Sequence, residues 1–388
     1  MQVQLAQELI ATSAGTRAEE ILRRCVHCGF CNATCPTFNL LGDELDGPRG
    51  RIYLIKGMFE TNEVDEAARH HLDRCLTCRN CETTCPSGVE YGELVELGRN
   101  FIEESKPQSS LFETFLLLIV PHFRRLRWLV RVGRLFQWIL APSLRRLLQP
   151  LKSVVLNVEP VLGETKVTLL QGCVQRAMTP DVVAHLADLL RKQGIQVIVH
   201  DDEICCGGLH LHMGREEAAK QFMTTYLETL YDEEVDAYIS TASGCGVTVK
   251  DYGRLVGESR AEQLAARTLD ASEFLSDFSF KPHPNVKRVA LHNPCTLQHG
   301  QRVHGLIEQI LERAGYEILP VRDSHLCCGS AGSYSLLQPA LSEQLLQRKV
   351  AALEETAPDV IATSNIGCQL HLAAGANVRV VHWLTLLN

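Results

Sequence analysis

The 388-residue sequence lacks the features of a membrane-spanning, secreted or dinucleotide-binding chain. No apolar run reaches the ~18 residues that a transmembrane helix needs. The stretch from Met1 to Arg24 carries acids and arginines and has no apolar core, so we expect no secretory signal. A G-x-G-x-x-G fingerprint is also missing, which predicts that this chain binds no dinucleotide cofactor. We therefore expect a cytoplasmic protein whose thiols stay reduced.

Cysteine, in contrast, is abundant: the chain has sixteen, and each belongs to a repeated pattern. The first eight form two runs of the form C-x2-C-x2-C-x3-C-P, which begin at Cys25 and Cys75. Bacterial-type ferredoxins hold two 4Fe–4S clusters with such runs, and the fourth cysteine of each run ligates the other cluster. We predict an α+β, ferredoxin-type helical domain over residues 1–105, with one cluster on Cys25, Cys28, Cys31 and Cys85 and the other on Cys75, Cys78, Cys81 and Cys35.

Structural zinc and disulfides are the alternative interpretations of these eight cysteines. Paired C-x2-C motifs also build zinc sites, but a zinc ion takes four ligands and has no need of the longer run made twice. Disulfides require an oxidising compartment, and no secretory signal precedes the motifs. The pattern therefore favours iron–sulfur clusters and electron transfer.

The other eight cysteines form two copies of one pattern, with equivalent positions 122 or 123 residues apart. Strand-like and helical runs alternate in both copies, which predicts duplicated α/β domains of βαβ, Rossmann-like type over residues 156–280 and 281–388. The cysteines follow strands, where open α/β sheets place their sites, although buried structural cysteine is the alternative. Each set is a candidate for an additional metal or redox centre: Cys173, Cys205, Cys206 and Cys245, then Cys295, Cys327, Cys328 and Cys368.

The net charge of −8 is unevenly distributed. Residues 106–152 hold nine basic residues and one acid, so they carry +8 and the remainder carries −16. A linker over residues 106–155 is predicted to contain a basic amphipathic helix, on which the arginines recur at helical spacing: Arg124, Arg127, Arg131 and Arg134. Such a helix suits an anionic membrane surface or a partner subunit, and a helix packed on its own domain is the alternative. The acidic remainder argues against nucleic acid binding.

Three stretches closely resemble one family: Cys25–Pro36, Gly42–Tyr53 and Leu76–Pro86. Together with the two later copies, which carry CCG motifs, they are similar to the iron–sulfur subunits of glycolate oxidase. The resemblance implies an electron-relay subunit of an oxidoreductase that acts on the CH–OH group of 2-hydroxy acids. Its implied partners are flavin-containing subunits that oxidise glycolate to glyoxylate, and its implied acceptor is a quinone. The chain would lie peripherally at the cytoplasmic membrane face and would hold no catalytic residue itself.

One departure from the wider family affects the two CCG copies. Heterodisulfide reductase domains of this kind carry a fifth cysteine, where this chain has Ala242 and Asn365. A cubane, a zinc ion and an interaction domain without metal are therefore all open for each copy. The alternative functions are a heterodisulfide-reductase-like enzyme, an iron–sulfur subunit like that of anaerobic glycerol-3-phosphate dehydrogenase, and a scaffold that only docks flavin subunits.

Histidines near the cysteine motifs are candidates for metal ligands or for hydrogen-bond donors to cluster sulfur. Polar neighbours that are satisfied by protein atoms are the alternative interpretation. The candidates are His27, His210, His212, His292, His299 and His325.

Overall fold

The computed structural model describes residues 1–108, 110–139 and 163–388. The predicted linker extends to residue 155, so its last part, including Arg145 and Arg146, lies outside the described residues. No helix among the described residues is long and apolar enough to cross a membrane. We refer to residues 1–108 as the N-terminal domain, to residues 163–280 as the first lobe and to residues 281–388 as the second lobe.

The N-terminal domain consists of helices and loops around an apolar core that includes the fully buried Leu22, Ile55 and Leu94. Its helices are α1 (Ser13–Arg24), α2 (Phe30–Ala33), α3 (Pro36–Leu41), α4 (Pro48–Thr61), α5 (Glu66–Asp73), α6 (Asn80–Thr84) and α7 (Tyr91–Ser105), with a 3₁₀ turn at Glu44–Asp46. No strand occurs in residues 1–108, so the α+β expectation is corrected to an all-helical one. Tight cysteine loops and helices follow one another between α1 and α7, so no extended segment is long enough to pair.

Two helices connect this domain to the lobes: α8 (Leu111–Ile119) and α9 (Phe123–Leu135). The α8 helix begins with a capping box, in which Ser110 and Glu113 satisfy each other's backbone N–H groups. On α9, Val130 is buried against the lobes among Ala177, Met178, Ala242 and Ile366. The predicted basic helix therefore exists and packs through one face on its own chain.

The first lobe contains a four-stranded parallel sheet in the order β2-β1-β3-β4. Its strands are β1 (Lys166–Leu170), β2 (Gln196–Ile198), β3 (Ala237–Ser240) and β4 (Thr268–Asp270). Its helices are α10 (Cys173–Met178), α11 (Pro180–Lys192), α12 (Gly208–His212), α13 (Glu216–Leu230), α14 (Ser243–Lys250), α15 (Tyr252–Val256), α16 (Ser259–Ala266) and α17 (Ala271–Phe274). The sheet is covered on both faces, which explains why β3 is buried along its whole length.

The second lobe repeats this sheet in the order β6-β5-β7-β8, again with all strands parallel. Its strands are β5 (Arg288–His292), β6 (Glu317–Leu319), β7 (Val360–Thr363) and β8 (Val380–His382). Its helices are α18 (Leu306–Arg313), α19 (Tyr334–Leu337), α20 (Pro339–Glu354) and α21 (Ile366–Gly375), with a π-helical turn at Thr296–Gly300 and a 3₁₀ turn at Trp383–Leu386. The predicted duplication is thus present as two equivalent parallel sheets.

The lobes pack tightly on each other. One apolar core contains Leu169 and Leu186 of the first lobe together with Val289 and Trp383 of the second. His382 Nε2 also lies 2.8 Å from the carbonyl oxygen of Thr241. The division near residue 280 therefore separates two sheets that share a common core, and the domain boundaries remain a prediction.

Candidate functional site

The two N-terminal cysteine runs adopt the same unusual backbone. In the first run His27 and Gly29 have positive φ angles of 57° and 83°, and in the second Thr77 and Arg79 have φ angles of 51° and 58°. Non-glycine residues rarely adopt this left-handed conformation, so three of these four positions are strained. Each loop leads into a short helix, α2 or α6, and then into a Cys-Pro pair. The two runs therefore share one backbone conformation ahead of their last cysteines.

The runs combine into two pockets lined by thiols. The first thiol pocket is lined by Cys25, Cys28, Cys31 and Cys85, with Cys81 at its inner side. The second thiol pocket is lined by Cys35, Cys75, Cys78 and Cys81. Thr34 and Thr84, whose hydroxyl oxygens are 3.0 Å apart, join the ends of the two runs. The structure thus brings together the members of each predicted ligand set, including the fourth cysteine from the other run.

The two pockets differ in exposure. Cys28 of the first thiol pocket is exposed, and Val26 and Phe30 beside it are 66% and 61% exposed. In the second thiol pocket Cys35, Cys75 and Cys81 are buried. Burial raises the pKa of Cys31 to about 11, so a metal must displace the proton when the thiolate becomes a ligand. The first pocket therefore faces the surface, and the second lies inside the protein.

Positive charge and hydrogen-bond donors surround the second thiol pocket. Arg51 is 1% exposed, and its Nη1 lies 3.9 Å from Cys35 Sγ. Tyr91 donates its hydroxyl proton to Cys75 Sγ at 3.6 Å. Burial raises the pKa of Cys75, but the guanidinium groups of Arg51 and Arg99 outweigh it and leave that pKa below its usual value. These groups favour negatively charged sulfur, as the ligands of an iron–sulfur cluster require.

The Arg51 guanidinium is held in place by its own partners. Asp46, which is fully buried, lies 3.4 Å from Arg51 and 2.9 Å from Arg74. Arg51 also donates to the carbonyl oxygen of His71 at 2.7 Å. Sequence reasoning missed Arg51 and Tyr91, because no local pattern distinguishes them from ordinary residues of α4 and α7. Only the approach of these helices to the cysteine loops reveals their role.

In the first lobe the four cysteines gather at the carboxyl ends of β1 and β3. Cys173 Sγ and Cys205 Sγ are 3.7 Å apart. Hydrogen bonds from Cys205 and Cys245 hold the pKa of Cys206 well below its usual range. Glu203 lies nearby, and burial raises its pKa to about 7, although its carboxylate accepts backbone N–H bonds from Gln171 and Gly172. The structure therefore brings the predicted set together, with a buried carboxyl group nearby.

In the second lobe the equivalent cysteines also lie together. Cys295 Sγ and Cys327 Sγ are 3.5 Å apart, and Cys328 and Cys368 are buried beside them. Asn365, at the position of the missing fifth cysteine, donates from Nδ2 to Cys368 Sγ at 3.6 Å. The nearby charged group here is Lys349, which is 3% exposed. Burial lowers the pKa of Lys349, and the charges of Cys327 and Cys328 act in the opposite direction. The two cysteine sets thus have nearby ionisable groups of opposite sign.

The second lobe lies directly against the second cysteine run. Leu76 and Cys78 pack with Cys295, Cys327 and Tyr334 in one apolar cluster. Asn80 Nδ2 donates to the carbonyl oxygen of His325 at 3.1 Å, and Thr83 Oγ1 lies 2.9 Å from His299 Nδ1. The second thiol pocket therefore adjoins the second-lobe cysteines through side-chain contact. This contact could not be predicted from the sequence, because the two segments are more than two hundred residues apart.

The candidate histidines fall into different environments. His299 is bonded through both ring nitrogens, to Thr83 and to the His325 carbonyl oxygen, so protein atoms satisfy it. His210 stacks on Phe222 at a ring-centroid distance of 4.7 Å, and His212 lies 3.8 Å from Glu96. His27 lines the first thiol pocket.

His292 differs from these, since it is buried with both ring nitrogens lacking a hydrogen-bond partner among the described residues.

The chain matches two family models. The 4Fe-4S dicluster domain matches residues 21–89, and the Cysteine-rich domain, CCG, matches residues 167–250 and 289–373. The dicluster match contains all eight cysteines of the two thiol pockets, and each CCG match covers the first three strands of one parallel sheet. The chain is therefore an iron–sulfur protein with two 4Fe–4S clusters in its N-terminal domain.

Curated relatives extend this similarity over the whole chain. The "Glycolate oxidase iron-sulfur subunit" of Escherichia coli (strain K12) is 41% identical over 403 residues, which cover 100% of this chain and 98% of that protein. The "Probable glycolate oxidase iron-sulfur subunit" of Bacillus subtilis (strain 168) is 30% identical, with 94% and 93% covered. The "Lactate utilization protein A" of Shouchella clausii (strain KSM-K16) is 28% identical and covers 57% of this chain. Similarity of this length, added to the two thiol pockets and the duplicated cysteine-rich lobes, shows that the chain belongs to the glycolate oxidase iron–sulfur subunit family.

Proposed function

We propose that this chain relays electrons from a flavin-containing partner subunit, which oxidises glycolate to glyoxylate, toward a quinone-type acceptor. The observation that carries the proposal is the placement of the two thiol pockets: one opens at the surface, and the other adjoins the cysteines of the second lobe. An electron relay needs one cluster that a donor can approach at the surface and a second that carries the electron into the protein. Family membership supplies the glycolate chemistry, as the names of the relatives state.

The ligand sets that we propose for the two clusters are those that line the pockets. Cys25, Cys28, Cys31 and Cys85 hold the outer cluster, and Cys75, Cys78, Cys81 and Cys35 hold the inner one. Each set supplies four thiolates, three from one run and one from the other, which fits a cubane. A bound 4Fe–4S cluster supplies one-electron redox chemistry. The protein's own part is to position the thiolates, to exclude water from the inner pocket and to place Arg51 and Tyr91 beside its sulfur ligands.

The balance of electrons and protons indicates which step belongs to the flavin partner, to this chain and to the quinone. Oxidation of glycolate to glyoxylate releases two electrons and two protons, which the partner's flavin accepts. This chain accepts the electrons singly, and a quinone consumes two electrons and two protons. No group of this chain needs to bind glycolate, and none is assigned that role. The four cysteines of each lobe, Cys173, Cys205, Cys206 and Cys245 or Cys295, Cys327, Cys328 and Cys368, provide a site for an additional centre on this route.

The basic connecting helix supports a peripheral position at the cytoplasmic membrane face. Trp128 and Leu135 of α9 are 64% and 74% exposed, and Leu111 of α8 is 92% exposed. Exposed arginines lie beside these apolar side chains, whereas the remainder of the chain carries a net negative charge. Anionic lipid attracts such a surface and accepts its apolar side chains. A quinone dissolved in the same membrane would then be within reach of the chain.

Anaerobic reduction of the purified complex tests the proposal. We expect glycolate to bleach the cluster absorbance and to produce the electron paramagnetic resonance (EPR) signals of reduced 4Fe–4S clusters. Cys28→Ser should abolish reduction of the outer cluster, whereas Ser87→Ala, which changes a pocket residue without a thiol, should not. A flavin that glycolate reduces while every cluster stays oxidised would contradict the relay function.

A further inference from the structure

His292 is a buried imidazole that the protein leaves without a partner. It is the last residue of β5 and is 2% exposed. Neither Nδ1 nor Nε2 forms a hydrogen bond with any described residue. Leaving a buried polar group unpaired is destabilising, so a group outside the protein chain is expected to satisfy it. His371, another buried histidine of the same lobe, has Ser342 Oγ 3.3 Å from its Nε2 and needs no such group.

Two thiols lie within reach of this imidazole. One ligand atom each from His292, Cys328 and Cys368 lie within 4.8 Å of one another, and all three residues are buried. Metal–sulfur and metal–nitrogen bonds of about 2.3 Å and 2.0–2.1 Å hold tetrahedral donors about 3.5–3.8 Å apart, which lies within this limit. A hydrogen bond joins the free thiols of Cys327 and Cys328. Cys295 Sγ lies 3.5 Å from Cys327 Sγ. One imidazole and four thiols therefore line a single buried site.

The equivalent position of the first lobe carries an apolar residue in place of the imidazole. The strands β1 and β5 are both five residues long and end at Leu170 and His292, which are 122 residues apart like the cysteines. Leu170 is 1% exposed and packs against Cys206 in an apolar cluster. The fold therefore accepts an apolar side chain at this position. A histidine here is not required for folding, and its unpaired nitrogens point to a ligand role specific to the second lobe.

We propose that the second lobe holds a metal centre in which His292 is an imidazole ligand beside the thiolates of Cys328 and Cys368. Thiolate and imidazole donors select zinc or the iron of an iron–sulfur centre over hard cations. Lys349, buried against these cysteines, offsets part of the negative charge of the thiolates. The inference deepens the proposed relay function, because the site adjoins Cys78 of the second thiol pocket. It does not depend on the identity of the flavin partner or of the hydroxy acid.

Metal analysis of the full-length chain, purified without oxygen, provides the first test. Iron and zinc are counted by mass spectrometry in the wild type, Cys328→Ser, His292→Leu, His292→Cys and His371→Gln. We expect Cys328→Ser to remove metal beyond that of the two N-terminal clusters. His292→Leu, which installs the first-lobe residue, should weaken metal retention at least tenfold, since even loss of an outer-shell partner costs ~10–100-fold. His292→Cys should restore retention, and His371→Gln should leave it unchanged.

Spectroscopy identifies the ligand atom. If the extra metal is iron, pulsed EPR on the chain labelled with ¹⁵N-histidine should show a strongly coupled histidine nitrogen. If it is zinc, X-ray absorption should show one nitrogen in a first shell otherwise made of sulfur. Both nitrogen signals should be absent in His292→Leu and His292→Cys and present in His371→Gln. The two N-terminal clusters, counted in the same samples, report that each variant is folded.

Three results would overturn the inference. They are equal metal content in the wild type and Cys328→Ser, a metal site in the wild type without coordinated nitrogen, and a nitrogen signal that survives His292→Leu. None of them would affect the relay function, provided that glycolate still reduces the two N-terminal clusters of the complex. Failure of that reduction, with the nitrogen signal retained, would instead reject the relay and keep His292 as a ligand.

Discussion

The buried guanidinium of Arg51 lies against the second thiol pocket from inside the protein. Addition of an electron makes a cluster more negative, so a nearby fixed positive charge stabilises the reduced form. One unit charge at ~8 Å and an effective dielectric constant of ~20 contributes about 2 kcal/mol, which is on the order of 90 mV for one electron. The position of Arg51 therefore predicts a higher reduction potential for the inner cluster than its burial alone would give.

Arg51→Met tests this effect. We expect the midpoint potential of the inner cluster to fall by tens of millivolts, since burial and electrostatics both tune such clusters. Asp46 keeps its 2.9 Å pairing with Arg74, which limits the loss of stability. Redox titration monitored by EPR measures the shift. Arg74→Met is the matched control, because Arg74 also pairs with Asp46 but does not line the pocket. An equal shift of the potential in both variants would contradict a local effect of Arg51.

Asp270 predicts a pH dependence of stability that does not arise from a thiol. It caps α17 and is 1% exposed, its Oδ1 accepts from Ser272, and its Oδ2 has no partner among the described residues. Burial raises its pKa from 3.8 to about 6. Since the folded state binds the proton more tightly, the stabilisation is fully present below about pH 4 and is lost as the pH rises through 6.

Asp270→Asn should remove this dependence, because the amide does not titrate. Between pH 5 and pH 7 the free energy of unfolding of the wild type should fall by about 1 kcal/mol relative to the variant. Urea unfolding at several pH values, followed by circular dichroism, gives the difference. Two curves that stay parallel over this range would show that Asp270 is ionised throughout.

At the scale of the elements, hydrophobic pattern and turn residues predicted most of the lobes. The segments at 166–170 and 237–240 are strands, and the helix that starts at Thr179-Pro180 ends before Gly194, as expected. The edge strands β4 and β8 were not predicted. Each has only three residues and contains polar side chains, so its strand conformation depends on pairing with β3 or β7 and not on its own sequence.

The helix α9 carries a prediction about surfaces. Replacing Arg124 and Arg131, both exposed, by glutamate should weaken binding of the chain to vesicles that contain anionic phospholipid. Salt should weaken wild-type binding in the same direction, because surface attraction is screened. Vesicle flotation measures the bound fraction. Lys192→Glu with Arg260→Glu makes the same change of charge at exposed positions of the first lobe; if this pair reduces binding equally, net charge and not α9 is responsible.

At the scale of the whole molecule, the sequence predicted which cysteines belong together in the N-terminal domain, because the ferredoxin run has a known spacing. It could not predict that Cys78 packs near Cys295, or that the lobes share one core. These contacts join segments from distant parts of the chain, and no local pattern records them. The extra ligand candidate, His292, was visible in the sequence, but only its burial and missing partners separate it from His299.

The exchange of cysteines between the two runs predicts which variant damages which cluster. Cys85→Ser, although it lies in the second run, should disrupt the outer cluster and spare the inner one. Cys35→Ser, in the first run, should do the reverse. The iron that belongs to the two N-terminal clusters should fall by about half in each variant. EPR of the reduced protein should show which signal remains, since exposure and nearby charge give the two clusters different potentials. Loss of the inner signal in Cys85→Ser would contradict the exchanged ligation.

The combination of both runs in each pocket also constrains how the protein matures during synthesis. Cys25, Cys28 and Cys31 leave the ribosome well before Cys85, and Cys35 leaves well before Cys75. The inner set is complete only when the nascent chain has passed residue 81, and the outer set only when it has passed residue 85. By then α4 and α5 must have brought the two runs together. Cluster delivery therefore follows the folding of this domain, and a donor that acts on the emerging first run would meet only three of the four thiols that it needs.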